Sequence, residues 1–238
     1  MRSNKGFTLV EMAIVLIIIG IILGAVVKGQ DLIVNARSKK LISAANTWNI
    51  LAYTYMDRMG HFPGDGGTNV STGVAVGTSD GIIGNAAAER AAGATAIDQI
   101  VGTAATPNMS NAPENPVMIG GQAFWIYFGY VNATVGQRNA IYICPSVNCN
   151  TALTSDSMAI LQALDTAIDG TADAGLGRVR AMANGGGYNA LAVAFGNRAN
   201  AVFNNSSPLN RAIDTPVNSA QWAIAGQSGA VWVFDRPF

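Results

Sequence analysis

Charge is what this 238-residue chain has least of. Only 12% of its residues are Asp, Glu, Lys or Arg, about half the usual share. The 14 acidic and 14 basic residues cancel, so no global field draws the chain to nucleic acid or to an anionic surface. Histidine occurs once, as His61. That excludes a serine–histidine triad unless His61 itself serves, and it leaves a conventional structural zinc site short of ligands. Cysteine occurs twice, at Cys144 and Cys149, with four residues between. The spacing is too long for a thioredoxin-like pair, and a zinc ion would need two further ligands. Proline is absent before Pro63, so nothing in the first 62 residues forces a helix to break.

What the chain has in quantity is apolar residues, half of the total, together with 27 glycines. The stretch KGFTLVEMAIVLIIIGIILGAVV, Lys5 to Val27, concentrates them. From Phe7 to Val27 is 21 residues, and a helix of that length spans about 31 Å, the hydrocarbon thickness of a bilayer. A secretory signal peptide has a shorter apolar core followed by a cleavage site. Here the run continues into KGQDLIVNARSKKLISAANTW, which reads as further helix, so the segment is a single-pass membrane anchor. Within it Glu11 is the one charged residue, at an insertion cost of about 2.5 to 3.5 kcal/mol at membrane depth. Arg2 and Lys5 precede the span, and Lys28, Arg37, Lys39 and Lys40 follow it. By charge count alone the C-terminal side would be cytoplasmic.

Lys5-Gly6 followed by Phe7-Thr8-Leu9-Val10-Glu11 resembles the processing site of type IV pilins and of type II secretion pseudopilins. The match comprises a short basic leader, Gly before the cut, Phe after it, Glu five residues into the mature chain and an unbroken aliphatic helix. It covers residues 1 to about 60, and GQDLI…TYMDRMGHFPGD resembles a common subgroup of prepilin-like proteins. The resemblance implies an α+β fold, with a long N-terminal helix packed on a head that carries an antiparallel sheet. It further implies a leader at 1–6, a stalk helix at 7–59 whose 7–27 part is transmembrane, and an extracytoplasmic head at 60–238. A prepilin peptidase would cut after Gly6 and N-methylate Phe7. The N-terminus would lie in the cytoplasm and the head outside, against the charge count. The expected location is a bacterial inner membrane and then a filament. The expected partners are homologous subunits, the peptidase, the inner-membrane assembly machinery and lipid, with no nucleic acid. Glu11 would meet the N-terminal amine of a neighbouring subunit during assembly, and before that the amine of its own Phe7. A buried carboxylate is tolerable mainly when paired and hydrogen-bonded.

The spacing of Ile33, Leu41, Ala44, Trp48, Ala52, Tyr55 and Met59 predicts that the helix continues to about Met59 with one apolar stripe toward the head. Gly60 is its expected cap, and Asn46, Asn49, Thr54 and Arg58 are expected to face away. Gly20, Gly24 and Gly29 weaken the membrane half, and the Gly20–Gly24 spacing permits close helix approach in lipid.

In the head, GDGGTNVSTGVAVGTSDGIIGN reads as loops with short strands, and AAAERAAGATAIDQIVG as a helical piece. Asp65 and Asp80 sit beside glycines, which suits turns better than calcium. AFWIYFGYV, Ala123 to Val131, fits a strand or a buried helix by pattern, and a short helix by similarity to the subgroup. Cys144 and Cys149, outside the cytoplasm, are expected to form a disulfide. SMAILQALDTAIDGTADAG begins as an amphipathic helix with Met158, Leu161, Leu164 and Ile168 on one face. Asp165, Asp169 and Asp173 are weak candidates for a cation such as calcium, against the default of solvated face and loop residues. No cofactor is otherwise expected. NALAVAFG, QWAIAG and AVWVFD read as strands, the last two linked by Gln227-Ser228-Gly229, in a sheet that buries Trp48 and Tyr55. No nucleophile–base pair or metal cluster is recognisable, which disfavours an enzyme. The two remaining classes are a filament subunit and a minor pilin whose head binds a surface or a secreted substrate.

Overall fold

The structure is a computed structural model that describes residues 8–67, 79–84, 96–102, 109, 112–133, 136–147, 149–175, 177–183 and 221–234. Its dominant element is α1 (Leu9–Met59), a single helix of 51 residues and therefore about 77 Å long. It stops where expected. Gly60 takes a φ of 82°, a left-handed conformation that glycine enters without a Cβ clash, and its N–H bonds to the Met56 carbonyl at 2.8 Å.

Only part of α1 touches the head. Leu41, Ala44, Ala45, Trp48, Ala52 and Tyr55 are buried in one stripe, recurring in steps of three and four. Ile33 and Met59, expected in that stripe, are 52% and 45% exposed, because the contact begins higher and ends sooner. Its lower edge is marked by Lys40, whose Nζ donates to the Met118 carbonyl at 2.8 Å, and by Arg37, packed at Gly120. Asn46, Thr54 and Arg58 face solvent as expected, while Asn49 is half-buried.

Among the described residues five antiparallel strands make the sheet: β1 (Val117–Ile119), β2 (Gln122–Ala133), β3 (Gly136–Cys144), β4 (Val179–Ala183) and β5 (Gln227–Val233). Their order is β1-β2-β3-β5-β4, so the C-terminal strand is inserted between β3 and β4. AFWIYFGYV is the centre of β2 and not a short helix. Its residues alternate between two cores: Phe124, Ile126 and Phe128 belong to the core shared with α1, and Tyr127 and Val131 to a second cluster with Tyr142, Val231 and Val233. Aromatic and β-branched residues suit that period-two arrangement, and each finds a cross-strand partner, such as Tyr127 opposite Tyr142 and Phe128 opposite Ile141.

α2 (Ala96–Val101) is the described part of the expected helical piece, and residues 68–78 and 85–95 lie outside the described residues. α3 (Ser155–Asp169) packs on α1 and buries Ile160, Leu161 and Leu164, with Met158 and Ile168 partly covered. Two expectations for the C-terminus are corrected. Gln221 to Gly226 form a loop and not a strand, and Gln227 to Gly229 are the first residues of β5 and not a link. Both faces of β5 are buried, so its pattern reads as continuous and offers no alternation to mark where it starts. Gly229 is required there, since a Cβ would lie 2.6 Å from the Ile143 carbonyl of β3. The stretch NALAVAFG, 189–196, lies outside the described residues.

Candidate functional site

The chemistry of α1 is concentrated in its first turn. Thr8 is the N-cap in extended conformation, and its hydroxyl oxygen accepts the Glu11 N–H at 3.3 Å. In return Glu11 Oε2 accepts the Thr8 N–H at 2.8 Å and the Thr8 hydroxyl at 2.9 Å. This reciprocal capping box satisfies two backbone donors that a helix start otherwise leaves unpaired. It also neutralises part of the cost of the lone acid, which sits at the positive end of the helix dipole. Thr8 is a partner that the sequence reading missed. The signal was present, because Thr-x-x-Glu before an apolar run is a helix-start signature. Gly6 and Phe7 lie outside the described residues.

Beyond the cap, the helix stands clear of the head. Leu9, Leu16 and Ile21 are 90%, 69% and 68% exposed, and its most apolar window has no burial inside the chain. By length and composition this segment can cross a membrane. A Cβ at Gly20, Gly24 or Gly29 would meet nothing within 4 Å among the described residues, so no contact between described residues requires these glycines.

Residues 1–27 match the family model described as the prokaryotic N-terminal methylation motif. The N-terminus is a prepilin-type processing signal. No curated protein and no solved structure matches the chain. This motif is the signature of type IV pilin and pseudopilin processing, and the long apolar helix followed by an antiparallel sheet agrees with a pilin-like α+β fold. The prepilin motif points to a structural subunit rather than an enzyme.

Several head carboxylates accept internal donors. Asp65, buried at the start of the head, accepts the Asp80 N–H at 3.0 Å and the Gly81 N–H at 2.9 Å. Burial raises its pKa, and those two N–H groups oppose the shift. Asp80 closes its own turn on the Ile82 N–H. On α3, Asp165 is fully buried and not on a solvated face as expected. It follows Leu164 on the side that meets Trp222, whose indole N–H donates to Asp165 Oδ2 at 2.9 Å. Burial pushes the Asp165 carboxyl up to about 7, the indole N–H pulls it down, and the nearby Asp169 charge pushes it further up. Asp169 accepts the Val179 N–H at 2.8 Å, and Asp173 accepts the Gly175 N–H at 2.9 Å. Among the described residues no group of three His, Cys, Asp or Glu side chains is arranged to hold a metal ion.

Cys144 and Cys149 form the expected disulfide, with Cα atoms 5.2 Å apart. It closes the loop after β3, where the Tyr127 hydroxyl donates to the Val147 carbonyl. His61 is structural here: its ring meets Tyr55 edge-on at 5.5 Å and Nδ1 lies 2.9 Å from the Phe62 carbonyl. A cleft of about 570 Å³ opens between α1, α2 and the 112–118 segment, with Trp48, Trp125, Glu114 and Met118 in its lining.

Proposed function

We propose that this chain is a structural subunit, pilin or pseudopilin, of a type IV pilus or a type II secretion pseudopilus. Prepilin peptidase removes residues 1–6 after Gly6, and Phe7 becomes the N-methylated first residue. The 7–27 segment holds the subunit in a bacterial inner membrane with the head, 60–238, outside the cytoplasm. Subunits then join through their apolar helices, with Glu11 of one facing the Phe7 amine of the next. One observation carries the reading. The prepilin motif leads into an apolar helix that is exposed along its whole membrane-length half. Such a surface is covered by lipid before assembly and by neighbouring helices after it. The exchange at Glu11 is chemically reasonable, because its carboxylate is already held by short hydrogen bonds to Thr8 and an ammonium group would replace neutral donors with a charged one.

The test is to shear surface filaments from cells that express the chain and identify their subunits by mass spectrometry. A mature chain that begins at methylated Phe7 is expected in the filament fraction. Its confinement to the membrane fraction, with filaments present but lacking it, would contradict the proposal.

The cleft beside Trp48 supports a second reading, a minor pilin whose head binds a surface or a secreted substrate. It combines two indoles with an exposed carboxylate, Glu114, within about 570 Å³, a size and composition usual for a ligand site.

A further inference from the structure

The acid that the filament chemistry leaves unused is Asp165. Its side chain is 0% exposed, Oδ2 holds the Trp222 indole N–H at 2.9 Å, and Oδ1 is buried without a hydrogen-bond partner within bonding distance among the described residues. The groups that face it are the carboxylates of Asp169, one turn further along α3, and of Asp173 in the loop beyond, together with the Asp173 backbone N–H. Asp165 also lies near the C-terminal end of α3, where the helix dipole opposes a negative charge. The segment it holds is short. Trp222 is buried, and the rest of the 221–226 loop is tied through Gln227, whose side chain accepts from the Ala223 N–H and donates to the Gln221 carbonyl. The Gln227 carbonyl in turn accepts the Leu153 N–H just before α3.

We infer that Asp165 and Trp222 form a proton-controlled latch, which fastens the 221–226 loop to α3 while Asp165 is protonated and releases it when Asp165 ionises. The neutral carboxyl still offers Oδ2 to the indole and tolerates the dry surroundings of Oδ1. The ionised carboxylate is held in the interior with the Trp222 indole and the Asp173 backbone N–H as its donors, which do not offset its burial and the two like charges beside it. Displacement of Trp222 opens the carboxylate to water, so ionisation favours the open loop. The direction follows from linkage. The closed latch holds the Asp165 proton up to about pH 7, against an ordinary value of 3.8. The latch is therefore tightest below the ordinary value, weakens as the pH rises from there to about 7, and levels off above it. An exported head on this scheme is more firmly closed in acid than at neutral pH.

Hydrogen–deuterium exchange of the 221–226 segment in the detergent-solubilised full chain, corrected for intrinsic rates, tests this. The opening constant should rise at least about tenfold between about pH 4.5 and pH 7.5 in the wild-type chain. In Asp165→Asn, which keeps the acceptor and cannot ionise, it should stay flat and low. Trp222→Phe should be open and flat throughout. A wild-type pH dependence retained in Asp165→Asn would overturn the proposal. So would protection restored at neutral pH by calcium chloride in the wild-type chain alone, because the carboxylates would then answer to a cation and not to a proton. Should Asp165→Asn not fold, Asp169→Asn decides: removal of the neighbouring charge must move the transition to lower pH, and an unmoved transition rejects the latch.

Discussion

Trp48 of α1 meets Phe128 of β2 edge-on, with ring centroids 6.3 Å apart and planes at 73°. This contact seats the sheet on the stalk, and both side chains are fully buried. Trp48→Ala should cost about 3 to 5 kcal/mol of head stability, the usual range for truncating a core aromatic. Trp48→Phe should cost less than half as much, because the indole N–H has no hydrogen-bond partner among the described residues to lose. Denaturant unfolding monitored by circular dichroism gives both values, and equal losses would show that the N–H matters after all.

Glu11 is expected to matter to assembly and not to processing. Glu11→Ala should be cleaved and inserted normally, yet enter filaments at least about a hundredfold less, since leaving one member of a buried pair alone costs about 3 to 5 kcal/mol. Glu11→Asp should be intermediate. Thr8→Val removes the hydroxyl cap at a cost of about 1 kcal/mol and should reduce incorporation only slightly. The ratio of mature chain in filaments to mature chain in membranes, measured for each variant, checks the order.

Replacement of Gly6 by a larger residue should leave an uncut precursor in the membrane fraction. Intact-mass measurement distinguishes the outcomes. A mature chain starting at Phe7 in such a variant would count against prepilin-type processing.

The Cys144–Cys149 bridge spans a sequence separation of only 5, so it limits the unfolded chain little. Replacement of both residues by Ser should lower head stability by about 2 kcal/mol, and reduction of the wild-type chain should destabilise the head by a similar amount. Mass mapping of non-reduced protein should find no free thiol in the head.

Several features were legible in the sequence because they are local. The span, the single acid within it, the processing motif and the Gly60 cap each depend on a few adjacent residues, and no distant part of the chain can alter what they specify. The disulfide was legible for the same reason, since its two cysteines share one short loop. The stripe on α1 was read correctly at Leu41 to Tyr55, but its ends were not. How far a helix face is covered depends on the width of whatever packs there, here a sheet whose lower edge lies at Arg37 and Lys40.

The rest was decided by tertiary structure. AFWIYFGYV became a strand because β1 pairs with Ala123 and Phe124 and β3 pairs residue by residue with Trp125 to Val131, and no local signal separates an aromatic strand from a buried helix. Gln227 and Gly229 joined β5 because β4 supplied Ala183 and Met182 as their partners, with the register skipping Ser228 between them. Asp165 left the solvated face of its helix because Trp222, 57 residues away, covers it and donates to it. The sequence by itself determined that this chain carries a prepilin motif and a membrane-length helix, since likeness to a short known motif suffices for the first and the length of one apolar run for the second. Which residues the head buries is set by contacts between segments far apart in the chain, and these exist only once it has folded.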